Sequence, residues 1–89
     1  MIIKKKWILR KRKNSKFVLV EGEVIIYKSQ TRVYTLNKSG TKIWKLINGK
    51  NTVQRIIKMM LKECNAKDIL DVLKDLYKEK LIEALKEKK

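Results

Sequence analysis

Eighty-nine residues make one small domain, too short for two packed cores or a large enclosed cleft. Twenty-four Lys and Arg against nine Asp and Glu give a net charge of +15, and 44% apolar residues make the chain too hydrophobic for disorder, so it reads as a folded module drawn to anionic partners. No His is present and Cys64 is the single cysteine, which excludes structural zinc, an intramolecular disulfide and His-based nucleophile pairs, argues against an enzyme, and calls for no cofactor.

Residues 1–16 carry eight of the basic groups and no acid, leaving sixteen basic and nine acidic groups, or +7, for residues 17–89. This stretch reads as a basic N-terminal arm with strand character around Trp7-Ile8-Leu9, or else as a solvated terminus. Its apolar residues are broken by charge and do not fit a signal peptide. No apolar run approaches the roughly 18 residues of a membrane span, so the expected setting is cytoplasmic, with no membrane partner.

From Phe17 the residues turn β-branched and aromatic. Phe17–Val20 and Val24–Tyr27, joined by Glu21-Gly22-Glu23, predict a hairpin, and after a second turn at Ser29-Gln30-Thr31 the segment Arg32–Leu36 supplies a third strand. Consecutive strands with short links form an antiparallel meander, one face of which needs an apolar cover.

Three helices are predicted to supply that cover. Asn37 or Ser39 caps the first, whose apolar face is Ile43, Trp44, Leu46 and Ile47, with Trp44 a core anchor and Asn48-Gly49 a stop. Asn51 with Gln54 makes a capping box for the second, with Val53, Ile56, Ile57, Met60, Leu61 and Cys64 on one face. Asn65, with Asp68 three residues on, caps the third, whose apolar arc Ile69, Leu70, Val72, Leu73, Leu76 and Tyr77 is wider than one core needs. Leu81–Leu85 either extends this helix or closes as a strand. The division expected is an arm at 1–16, a domain at 17–85 and a charged tail at 86–89.

The joints of this order carry specific residues. Val33-Tyr34-Thr35-Leu36-Asn37 ends the third strand, and Gly40-x-x-Ile43-Trp44-x-Leu46 forms the first helix. Asn48-Gly49-x-x-Thr52-Val53-x-x-Ile56 leads into the second, and Asp71-Val72-Leu73-x-x-Leu76 runs on to Leu81-Ile82. Over residues 23–82 the chain resembles the PqqD-type family, the recognition elements that bind leader peptides of ribosomally made, post-translationally modified peptides. Lys80 stands where that family commonly has glycine. The resemblance implies an α+β fold, a three-stranded antiparallel sheet followed by three helices, winged helix-turn-helix-like.

It also implies a binding module without chemistry of its own, in which a leader peptide adds as a strand to the third strand and lies against the third helix. The candidate peptide-binding residues are therefore Arg32, Val33, Tyr34, Thr35 and Leu36 on the strand and Leu70, Leu73, Lys74 and Tyr77 on the helix. Alternation sends Tyr34 and Leu36 inward and leaves Val33 and Thr35 exposed. On the helix, Ile69, Val72 and Leu76 fit the core, and the other four form a second stripe at i, i+3, i+4 and i+7. Arg32, Lys67, Lys74 and Lys78 are placed to pair with acids of the peptide. The implied partners are a precursor leader peptide and the modifying enzyme that receives it, such as a radical SAM enzyme or a leader peptidase.

Two alternatives come from other classes. A winged-helix DNA-binding protein would use the third helix for recognition, yet that helix carries Asp68, Asp71, Asp75 and Glu79, which disfavours nucleic acid. A homodimer through the arm and the apolar stripe is the other.

Overall fold

The computed structural model describes residues 3–13, 15–27 and 31–85. The turn expected at Ser29-Gln30, the first two residues of the arm and the charged tail 86–89 lie outside them. The chain runs β1 (Ile8–Lys11), β2 (Lys16–Val20), β3 (Glu23–Tyr27), β4 (Val33–Thr35), α1 (Lys38–Leu46), β5 (Asn48–Thr52), α2 (Val53–Met60), α3 (Ala66–Lys78) and β6 (Ile82–Leu85). It is an α+β fold with antiparallel sheets and three helices.

The expected meander is the sheet β2-β3-β4. Val20 pairs with Glu23 across the two-residue turn Glu21-Gly22, where φ is 51° and 82°. Positive φ at both central positions matches the right-handed twist of the flanking strands. The sheet's register sets Phe17, Ile26 and Tyr34 side by side on one face and Val18, Ile25 and Thr35 on the other. Buried Thr41 fastens α1 to this sheet: its hydroxyl accepts from the Val24 N–H at 2.9 Å and donates to the Leu36 carbonyl.

A second sheet, β5-β1-β6, was not foreseen as such. Residues 8–11 take the strand option rather than the solvated one. They form the central strand, with Leu9 fully buried and antiparallel partners on both sides. The segment before them is tied to α2, whose first N–H groups donate to the Trp7 carbonyl (Val53, 2.8 Å) and the Lys5 carbonyl (Gln54, 3.0 Å). Asn48-Gly49, read as a helix stop, and Asn51, read as the cap of the next helix, both lie in strand β5, with Gly49 at φ 82° as the stop requires. Leu81–Leu85 resolves toward the strand, β6.

The helix caps follow from short-range chemistry. Asn37 accepts from the Gly40 N–H and Asn65 from the Asp68 N–H, both at 2.8 Å. At α2 the expectation is corrected: Thr52 caps, accepting from the Arg55 N–H at 3.1 Å, while Asn51 donates back to the Leu46 carbonyl. The helix ends at Met60, so Leu61 is exposed and only Cys64 of that pair packs against the core. One buried cluster joins residues of both sheets and all three helices, among them Leu9, Val24, Ile26, Trp44, Ile56, Ile69 and Ile82.

Candidate functional site

β4 pairs with β3 alone among the described residues, so its other edge is open. The Leu36 N–H donates to the Val24 carbonyl at 2.9 Å, in register with the β3–β4 ladder. N–H groups alternate sides along a strand, so those of Val33 and Thr35 point away from β3 to the free edge. Their side chains are exposed, Val33 by 51%, while Tyr34 is half-buried and Leu36 buried. An edge of this kind offers main-chain donors and acceptors to an incoming strand.

The wall beside this edge is one flank of α3. Arg32 pairs with Glu79 at 3.9 Å, and the Tyr34 phenol lies beside the same carboxylate. Burial first, then the neighbouring Glu79 carboxylate and the charge of Asp75, push the Tyr34 phenol up from its ordinary value, against an opposing effect of Arg32. Toward the other end of α3 an open cleft of about 400 Å³ lies between the helix and the start of α1, lined by Asn37, Gly40, Ile43, Asp68, Asp71 and Val72. Asp68, Val72, Asp75 and Glu79 follow at i, i+4, i+7 and i+11, one stripe of the helix, so the wall is acidic with Val72 as its apolar part.

The candidate residues on α3 do not face this edge. Leu70, Lys74 and Tyr77 lie on the opposite flank, where Tyr77 packs on Trp7 with ring centroids 5.6 Å apart and helps line a cleft with Ile82 and Ala84 of β6. Leu73 is not on a second stripe at all. It is fully buried, on the core line Ile69–Leu73–Leu76, while Val72, assigned to the core, is partly exposed. Arg32 is engaged with Glu79 rather than left open for a peptide carboxylate. Lys67 and Lys74 project with the far flank, so the groove holds carboxylates where the reading of charge expected cations.

Sequence reasoning missed two features of this surface. One is the acidic wall, whose i, i+4 spacing was visible but whose direction was not. The other is β2, whose residues Lys16–Val20 are all exposed on the sheet's second edge. Phe17 alone of these reaches inward to an aromatic, meeting Trp44 edge-on at 5.3 Å, with Lys11 Nζ 5.1 Å from the Trp44 ring centroid. Lys11 donates to the Ile47 carbonyl, and burial holds its ammonium below the usual lysine range.

A meander with an open edge, backed by three helices of which α3 flanks that edge, defines a small α+β domain. The chain belongs to the PqqD family, described as coenzyme PQQ synthesis protein D, whose profile matches residues 22–82. Among solved structures, TbiB1, determined in complex with the TbiA(beta) leader peptide, is similar with a TM-score of 0.71 at 20% identity, covering 88% of this chain and 99% of TbiB1. The heterocyclase TruD is similar over 89% of this chain with a TM-score of 0.69 at 16% identity. This chain spans 12% of TruD's length. At these identities the likeness is one of fold. Among curated proteins none matches the chain in sequence. No helix among the described residues is long and apolar enough to cross a membrane.

Proposed function

We propose that the chain is a leader-peptide recognition domain. A precursor peptide adds as a strand to the free edge of β4 and is held there for a partner modifying enzyme or peptidase. The observation that carries this reading is the open edge at Val33 and Thr35 beside an α3 flank that can receive alternate side chains of the added strand. Membership of the PqqD family and the fold shared with TbiB1, which was solved with a leader peptide, support it.

The acidic wall sharpens the peptide's chemistry. Asp68, Asp71 and Asp75 favour a Lys or Arg on the face of the added strand that meets α3, and Val72 favours an apolar neighbour. The same carboxylates repel a phosphate backbone, which keeps DNA the lesser reading. Presentation to an enzyme would act through effective concentration, so a modest affinity suffices.

Titrating leader segments of precursor peptides encoded beside the chain's gene tests the reading. Saturable binding that is lost on Val33→Pro supports it, because proline there removes an outward N–H without cutting the ladder to β3. Binding to none of them, or binding indifferent to that change, overturns it.

A further inference from the structure

The opposite edge of the same sheet is the less ordinary one. β2 is Lys16-Phe17-Val18-Leu19-Val20, and its apolar side chains remain 44%, 42%, 55% and 47% exposed from Phe17 to Val20. The outer face continues this surface through Tyr27 and Val33, at 44% and 51%. Soluble proteins blunt such an edge with an inward charge, a proline or a bulge. Here the β2–β3 register is unbroken, the strand holds no proline, and its only charge is Lys16 at the start.

We propose that β2 is a self-association edge, pairing antiparallel with β2 of a second copy about a two-fold axis at Val18. The geometry selects this register. Lys16, Val18 and Val20 are directly paired with Tyr27, Ile25 and Glu23, and the alternation fixed by the β3–β4 ladder gives those residues the bonds toward β3. The N–H and C=O groups of Phe17 and Leu19 therefore face outward. Pairing about Val18 sets Phe17 opposite Leu19 of the second copy and Leu19 opposite its Phe17, so all of these outward groups are satisfied at once. The faces match too: Phe17 and Leu19 share the inner face, and Val18 meets its counterpart on the outer one.

Charge favours the same arrangement. In the antiparallel register Lys16 lies opposite Val20 of the second copy, next in the row to that copy's Glu23, and the relation repeats at the other end. A parallel pairing would align Lys16 with Lys16. The interface is isologous, as a closed dimer requires, and it joins two meanders into one continuous sheet. It leaves β4 of each copy at the two outer edges, so this edge is independent of the peptide edge. The seam is smaller than the roughly 800 Å² per partner of a standard stable interface, so self-association is weak, with a midpoint on the order of 10 µM.

Sedimentation velocity on the whole chain over about 1–200 µM tests this. A concentration-dependent monomer–dimer equilibrium is expected. Val18→Lys, which sets two ammonium groups against each other at the axis, should abolish it with the circular dichroism spectrum unchanged. Lys16→Glu should weaken it and Lys16→Glu combined with Glu23→Lys should restore it, a pair that also serves if Val18→Lys fails to fold. A chain that stays monomeric across the range, or a dimer that ignores both the axis substitution and the charge exchange, overturns the proposal.

Discussion

Tyr34 on β4 faces Glu79 at the end of α3, and the pair links the two walls of the proposed peptide groove. The phenol is pushed up from its ordinary value near 10.0, first by burial and then by Glu79. Between 10.0 and the raised value the folded chain keeps a proton that the unfolded chain releases, so stability falls as pH rises through that window. Below it, this contribution is fully present. Glu79→Gln should bring the Tyr34 titration down, read as the tyrosinate absorbance difference against Tyr34→Phe. An unchanged titration would place Glu79 out of reach of the phenol.

Helix α3 ends in a Schellman motif on a non-glycine residue. The Lys80 N–H donates to the Tyr77 carbonyl and the Leu81 N–H to the Leu76 carbonyl, each at 3.0 Å, with Lys80 at φ 62°. This is where the family pattern has glycine, and the geometry gives the reason: the position needs the left-handed region that glycine enters without a Cβ penalty. Lys80→Gly should raise stability by about 0.5–1 kcal/mol after its cost in unfolded-state entropy. Urea unfolding measures it, and a loss of stability would contradict the account.

Leu73 and Leu70 sit three residues apart with different roles. Leu73 is sealed in the core, whereas Leu70 is only partly buried. Leu73→Ala should cost about 2–5 kcal/mol. Leu70→Ala should cost clearly less in the same urea titration and leave peptide affinity unaltered, because Leu70 lies on the flank away from β4. Equal costs, or a loss of peptide binding in a folded Leu70→Ala, would contradict the placement of the groove.

The acidic wall makes a charge prediction. Asp75→Lys should weaken binding of a peptide with a basic residue facing α3, by up to about 1 kcal/mol for one exposed pair, a factor of roughly five. The loss should shrink as salt is added. Tighter binding on this reversal would mean that the peptide presents acid there.

Short-range signals were legible in the sequence, and long-range ones were not. The Glu21-Gly22 turn, the Asn37 and Asn65 caps and the inward placement of Tyr34 and Leu36 follow from neighbours along the chain, and all are found. Strand β5 has no apolar pattern to announce it. Asn48-Gly49-Lys50-Asn51-Thr52 becomes a strand because β1 offers a partner, a tertiary cause that no window over those residues contains. Choosing Thr52 over Asn51 as the α2 cap depends on Asn51 being drawn back to the Leu46 carbonyl. On α3 the spacing supported two apolar lines equally well. Which flank faces β4, and hence whether the groove is lined by Asp75 and Glu79 or by Lys74 and Tyr77, is decided by how the helix packs across the sheet.

The most direct test of strand addition is residue-resolved amide hydrogen exchange of the chain, free and saturated with its leader peptide, under conditions that keep it monomeric. Val33 and Thr35 carry the outward N–H groups of β4, and strand addition should slow their exchange strongly while leaving the outward amides of Phe17 and Leu19 on β2 unchanged. A saturated complex in which Val33 and Thr35 exchange as fast as in the free chain would contradict strand addition at β4.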